Sequence, residues 1–311
     1  MKQNSFRMSS SQTTFWVPSW KLPCGIAEYT SSIAKVLPSV NVIAHPLDIR
    51  NTQLLHIQHE YGIFKGVDIA HYIQLAHHRN IPVIITQHTI HPQKSDWQHD
   101  ADILVALGEG GSEMLHDQWP DKTVVHIPLG CPIWFPTRKV RQSRVIGAFG
   151  FMNRQKGFFK LLEVLKAIPE SELLIFSYPK ASELENSWSK AIEGLPVRRV
   201  SEFLPEREIA QRLAAEADIL VFWYDDILPE TESGAVRVGL ATGVPVLTSP
   251  TKWFRSVGDV TYQPENLVEG IHRLLDDSSL RMQLTTAAKE YCHANSWSQV
   301  AKLHTDLWRA L

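Results

Sequence analysis

The sequence predicts an α/β protein built from two doubly wound domains with parallel sheets. Three observations carry this reading. Short apolar runs alternate with amphipathic helical stretches along nearly the whole chain. That alternation halts at Leu129-Gly130-Cys131-Pro132, crosses a basic, proline-containing connector at 136–144, and resumes at Val145. The chain has 311 residues, enough for two domains of ordinary size. The boundaries read as 1–135 and 136–296, followed by a last helix at 297–311. ADILV occurs at 101–105 and again at 217–221, and a Pro-Val strand start occurs at Pro82 and Pro245. The separations are unequal, so the halves share a construction and are not tandem repeats.

In chain order, 15–18 reads as the first strand, and 26–37 as a helix with Ile26, Tyr29, Ile33, Val36 and Leu37 on one face. Strands follow at 40–44, 54–58, 82–87, 103–107 and 124–128, with helices at 67–79 and 111–118. In the second half, 145–149 is a strand, 150–157 a glycine-bounded loop and 158–167 a helix. A strand at 173–176, a helix at 206–215 and a strand at 217–223 come next. The loop 224–231 then opens a helix at 235–241, which Gly243 stops before a strand at 244–248. Helices at 267–275, 280–294 and 297–311 close the chain.

Composition narrows the class. A 44% hydrophobic and 21% charged chain is that of a globular protein, and a net charge of −2 gives no broad basic field for nucleic acid. Three cysteines far apart fit a reducing compartment without a disulfide framework. No apolar run approaches the ~18 residues of a membrane span. The first 14 residues are polar and serine-rich, which reads as a frayed tail and not a signal peptide. A cytoplasmic protein is expected.

The unusual residues sit at strand C-termini, where ligands bind in such sheets. In the first half these are Cys24-Gly25, His59-Glu60 and His88-Thr89; in the second, 150–157 and 225–234. If the domains face each other, these loops line one cleft. GFMNRQKG at 150–157 puts Arg154 and Lys156 between two glycines ahead of a helix, a pairing that can hold a diphosphate. It lacks the P-loop order, and a solvated basic loop is the plainer reading. Glu232-Ser233-Gly234 reads as a helix start, whose free N–H groups attract anions. Eleven of the 14 histidines precede residue 130, which raises a metal hypothesis. His56 and His59, three apart on a strand, would face opposite sides, which argues against joint ligation. Glu60, Glu230 and Glu232 are candidate acids.

Nine segments in order resemble a known family: CGIAEYT at 24–30, HIQHEYGIF at 56–64, ITQHT at 85–89, ADILVALGEG at 101–110, VVHIPLG at 124–130, GAFGFMNRQKG at 147–157, ADILVFWYDD at 217–226, ESGAVRVGLATGVPVLTS at 232–249 and NSWSQVAKLHTDLW at 295–308. The chain resembles the retaining nucleotide-sugar glycosyltransferases of the GT-B fold, in the broad family 4 group. The resemblance implies two Rossmann-like domains, an acceptor-side one and a donor-binding one, with the last helix packing back on the first. It implies transfer of a hexosyl group from a UDP- or GDP-sugar by same-face attack, without a metal and without a cofactor. Gly25 would lie beside the donor phosphates, His88 against the transferred sugar, and Lys156 on the diphosphate. Glu230 would be the first acid of the family's E-x7-E motif, and Ser233 and Gly234 would offer N–H groups to the diphosphate.

Two positions depart from the family pattern. The second acid of E-x7-E falls at Val238, and the basic residue expected after Gly150 is Phe151, a role Arg154 can cover. These departures keep a second reading open, a binding subunit that has lost catalysis; a sugar-nucleotide hydrolase or epimerase is a third. The acceptor is unspecified. His59, Glu60 and Trp20 are acceptor-side candidates, and Trp16, Leu22, Ile63 and Phe64 can line an apolar acceptor site, a membrane-facing rim or simply the core.

Overall fold

The computed structural model describes residues 13–46, 49, 51–138, 143–179 and 182–311. Residues 1–12 of the tail expected to fray, and 139–142 of the connector, lie outside the described residues. The chain forms two compact units. One contains residues up to Gly130 together with Leu228–Glu232 and Trp297–Leu311; the other contains Cys131–Ile227 and Ser233–Ser296.

The first unit holds β1 (Thr13–Trp16), α1 (Gly25–Val36), β2 (Asn41–Ile43), β3 (Leu54–His59), α2 (Ile69–His77), β4 (Val83–Gln87), β5 (Thr89–Ile90), α3 (Trp97–Asp100), β6 (Ile103–Ala106), α4 (Glu109–Gln118) and β7 (Thr123–His126). The second holds β8 (Val145–Phe149), α5 (Phe158–Ala167), β9 (Glu172–Phe176), α6 (Ser182–Ala191), β10 (Val197–Val200), α7 (Glu206–Glu216) and β11 (Ile219–Phe222). A short strand, β12 (Glu230–Thr231), belongs to the first unit. Then α8 (Gly234–Leu240), β13 (Val246–Thr248), a 3-10 stretch at Lys252–Val260, α9 (Leu267–Asp276) and α10 (Ser278–Ala294) complete the second, and α11 (Trp297–Arg309) returns to the first.

Both main sheets are parallel. The first runs β2-β1-β3-β4-β6-β7 and the second β10-β9-β8-β11-β13. Each order reverses once, between β1 and β3 and between β8 and β11, and such reversal points open a crevice at the strand C-termini. Central strands such as β3, β4 and β11 are buried along their whole length, as a parallel sheet covered on both faces requires.

The first unit packs its sheet between two apolar layers. One gathers Trp16, Leu55, Ile57, Ile73, Ile85 and Leu104; the other gathers Phe15, Ile33, Ile84, Val105, Val300 and Trp308, so α11 supplies part of this core. Trp16 is a core residue, hydrogen-bonded through Nε1 to Ala44 O at 3.3 Å, and Phe64 is buried beside it. The chain in the second unit meets itself where it enters and leaves: Cys131 N donates to Asn295 O at 2.8 Å.

Several elements escape sequence patterning. α6, Ser182–Ala191, is largely polar and is anchored by Leu184 and the fully buried Trp188. β10 is the edge strand VRRV; Arg198 pairs with Glu172 and Glu216, and Arg199 with Glu185, a charged edge that discourages further pairing. The loop expected at 224–231 contains β12, which pairs antiparallel with β5, Glu230 opposite Ile90. Hence Leu228–Glu232, read from sequence within 136–296, is a piece of the first unit.

Candidate functional site

In the second unit the chemistry gathers at the β8/β11 reversal. After β8, Asn153 caps the 3-10 turn Arg154–Lys156, its side chain accepting from Lys156 N at 3.0 Å. Gly157 follows at φ 64°, and a Cβ there would stand 1.9 Å from Trp223 O, so only glycine lets the two loops touch. That contact brings the loop after β11 against the loop after β8: Asp225 N donates to Gln155 O at 2.9 Å, and Lys160 pairs with Asp225.

Lys156 Nζ lies 3.8 Å from the centre of the Tyr224 ring and 4.5 Å from that of Trp253. The ammonium is thus held against two aromatic faces. Trp253 is fixed by its Nε1 donating to Asp225 O at 3.0 Å. Tyr224 is buried, its hydroxyl 3.4 Å from Ser233 Oγ, and burial pushes its phenol pKa up. Ser233 is the N-cap residue of α8; it is buried, and its side chain makes no capping hydrogen bond. At Gly234 a Cβ would meet nothing within 4 Å, so the helix start opens on free space. Arg154 is exposed on the same turn.

Val238 is buried at 2% exposure, so the position of the expected second acid faces the core. Its neighbour Arg237, 1% exposed, donates to Ser233 O at 3.0 Å and to Ser256 Oγ at 2.7 Å, bracing the turn that starts α8. Phe151 stacks with Phe203 at 6.1 Å, and Tyr178 meets both edge-on.

In the first unit, β3 and β4 end in a reciprocal pair of contacts. His88 Nε2 donates to Gln58 Oε1 at 3.0 Å on one face, and His59 Nδ1 donates to Gln87 Oε1 at 2.9 Å on the other. The register, His59 opposite Gln87 and Gln58 opposite Thr86, produces this alternation. His56, on the His88 face, bonds Thr86 Oγ1 at 2.8 Å and accepts from Trp308 Nε1 at 3.1 Å. Tyr29 of α1 meets the His88 ring edge-on at 4.9 Å, and its hydroxyl lies 2.9 Å from His304 Nε2.

These imidazoles are neutral at physiological pH. Burial, then repulsion from His59 and His304, lowers His88 to about 3. Burial lowers His304 to about 3, and burial with His304 and His88 takes His56 well down. His59 falls to about 4 through burial, against the bond to Gln87.

Glu230 sits in β12, and Thr231 Oγ1 donates to His88 O at 3.1 Å, so the fold brings Glu230 and His88 into one neighbourhood of the first unit. The Glu232 carboxylate turns to α4, lying so close to its N-cap Gly108 that a Cβ there would stand 2.4 Å from Oε1. A carboxylate suits that helix end. Gly25 is the exposed first residue of α1, one turn before Tyr29.

Of the acceptor-side candidates, His59 is sealed at 1% exposure among Phe64, Trp97 and Tyr61, because strand alternation turns it away from His88. Glu60 spends one oxygen on Gly62 N at 2.7 Å, closing a turn. Trp20 packs partly buried against the core, beside an exposed Leu22. His56 and His59 point to opposite faces, and among the described residues no group of three or more His, Cys, Asp or Glu is placed to hold a metal ion. Sequence reasoning missed Gln58, Tyr29, Thr231, Tyr224 and Trp253. Tyr224 stands directly after a strand, a legible position; Trp253 lies in a 3-10 stretch that no periodicity announces.

No protein-family model matches the sequence, and no curated protein matches it. Solved structures do match in fold. A glycosyltransferase from Rickettsia africae ESF-5 is similar with a TM-score of 0.73 at 12% identity, over 96% of this chain and 97% of that one. A sucrose-phosphate synthase from Thermosynechococcus elongatus gives 0.74 at 16%, over 96% and 98%. A mutant of S. aureus TarM in complex with Fondaparinux, α-GlcNAc-glycerol and UDP gives 0.64 at 13%, over 83% and 55%. The two parallel-sheet units match the GT-B fold of glycosyltransferase structures.

Proposed function

We propose that this chain is a retaining glycosyltransferase that moves a hexosyl group from a nucleotide-diphosphate sugar to an acceptor. The observation that carries the proposal is Lys156, held over Tyr224 and Trp253 at the β8/β11 reversal of a GT-B fold. The UDP bound by TarM supports a nucleotide donor, and UDP- and GDP-sugars are the donors to test first.

In this reading Lys156 and Arg154 stabilise the departing diphosphate, whose charge grows in the transition state, with the N–H groups of Ser233 and Gly234 as further donors. These cations supply the compensation that a divalent metal would otherwise give. Glu230 and a neutral His88 orient the sugar hydroxyls, with Gly25 beside the phosphates. The leaving phosphate takes the acceptor proton on the face from which it departs. Trp20 and Leu22 are the remaining acceptor-side candidates; a peripheral membrane contact through that loop and a cytoplasmic location complete the proposal. Among the described residues no helix is long and apolar enough to cross a membrane.

Thermal-shift screening with UDP, GDP, ADP and their sugars tests the donor site, because a bound nucleotide raises the midpoint by mass action. Release of nucleotide from a donor panel, with and without acceptors, tests catalysis. A chain that shifts with no nucleotide and releases none is not this enzyme. A chain that binds nucleotide without turnover is the non-catalytic binding subunit that Val238 and Phe151 favour.

A further inference from the structure

We propose that Gln58 is a positioning residue for His88: by accepting from Nε2–H, its carboxamide oxygen holds the imidazole in the tautomer whose Nδ1 is a hydrogen-bond acceptor. The contact of that Nδ1 with a donor-sugar hydroxyl rests on the glycosyl-transfer reading above; the tautomer itself does not.

Four observations meet here. Gln58 is fully buried on a central strand, and its Oε1 lies 3.0 Å from His88 Nε2. Tyr29 packs edge-on against the ring at 4.9 Å, and Thr231 Oγ1 anchors the backbone beneath it by donating to the His88 carbonyl at 3.1 Å. Tyr29 is itself held by His304 Nε2 at 2.9 Å. The Gln58 amide nitrogen, equally buried, has no hydrogen-bond partner among the described residues. Leaving a buried N–H₂ unmatched costs stability, so this glutamine is a poor choice for packing and a good one for presenting an acceptor oxygen.

The chemistry follows from which nitrogen carries the proton. A neutral imidazole has one donor and one acceptor nitrogen, and a partner on one fixes the role of the other. The titratable groups around His88 are His56 on the same face of β3, Tyr29 from α1, His304 from α11 and Glu230 on the neighbouring β12, with His59 on the opposite face of β3; burial together with repulsion from His59 and His304 keeps the ring neutral. A sugar hydroxyl then meets an acceptor and never an imidazolium. The same strand pair repeats the device on its other face, His59 against Gln87, where the ring is sealed from any ligand.

The test is histidine ¹H–¹⁵N NMR on the full chain without donor, with His88→Ala to assign the signals. The expected wild-type result is protonated Nε2 and unprotonated Nδ1, unchanged down to about pH 5. Gln58→Leu, an apolar replacement that also removes the unmatched N–H₂, should release the tautomer preference. Gln58→Glu places a carboxylate at Nε2 and should bring His88 titration up toward neutrality. An Nδ1–H tautomer in the wild type, the mark of an amide turned the other way, or a His88 spectrum identical in Gln58→Leu, overturns the proposal. In turnover, Gln58→Leu should lower kcat roughly tenfold with nucleotide affinity unchanged, and Gln58→Glu should give a new acid limb in the pH profile. Unchanged kcat in a variant whose tautomer has relaxed overturns the catalytic part. Should no donor turn over even in the wild type, glycosyl transfer fails, while the tautomer measurement still decides Gln58.

Discussion

In the second unit the loops at the β8/β11 reversal present a lysine ammonium on two aromatic faces, an exposed Arg154 and an open helix start at Gly234. In the first unit the strand ends beside the β1/β3 reversal present neutral imidazoles, half-buried at His88 and buried at His59 and His304, matched to glutamines and a tyrosine. The same doubly wound architecture therefore holds charge in one place and excludes it in the other. The physical difference lies in solvation: short loops bounded by Gly150 and Gly157 keep cations near water, whereas central strands covered by α1 and α11 strip water from any side chain they carry. In the proposed reaction the charged leaving group would be held by the loops of the second unit, and the uncharged sugar oriented by the strand ends of the first.

The contrast can be broken in four ways, in order of effect. Lys156→Ala should lower donor turnover by about 10²–10³-fold, while Lys166→Ala, which removes a surface partner of Glu163, should leave it unchanged. Equal activity in both variants would mean that the cationic site lies elsewhere.

Gly157→Ala should cost about 3 kcal/mol, because it needs φ 64° and a Cβ 1.9 Å from Trp223 O. Urea unfolding would read this as a loss confined to the second unit, and a wild-type midpoint would contradict the close approach.

The third acts on the first unit through pH. His88 and His304 titrate in the folded chain at about 3, far below the 6.5 of an unfolded imidazole. The unfolded chain therefore binds more protons between those values, and stability is full above about pH 6.5 and lost as pH falls toward 3. Each such imidazole contributes a slope of about 1.4 kcal/mol per pH unit in that window. Denaturant melts at pH 7.5 and 5 should show the loss, and His304→Gln should flatten it; identical midpoints at both pH values would refute neutral burial.

The smallest effect is expected from Trp253→Leu. Removing one aromatic face from Lys156 should weaken nucleotide diphosphate binding by about 1 kcal/mol, seen by calorimetry. No change would show that Trp253 does not help to hold the ammonium.

Much of the fold was legible because its elements are written locally. The strand at 145–149 and the helix at 158–167 match β8 and α5 residue for residue, since an apolar run between Arg144 and Gly150, and a periodic stretch after Gly157, leave little choice. α6 was not legible, because its polar sequence is helical for the sake of Leu184 and Trp188 packing on a core assembled from distant strands. Lys156, Arg154, His88 and Glu230 were legible as residue types at strand ends. Their partners were not: Gln58 and Thr231 reach His88 from 30 and 143 residues away in sequence.

The sequence by itself determined the α/β class, the two-part construction, most element bounds and the placing of reactive side chains at strand C-termini, because apolar periodicity, glycine and proline act within a few residues. Only the tertiary structure decided the strand orders, the pairing of β12 with β5 that takes Glu230 and Glu232 into the first unit, the sealing of His59 and the aromatic faces beneath Lys156. Each of these depends on backbone pairing and desolvation between segments far apart in the chain, and no local pattern encodes which segments meet.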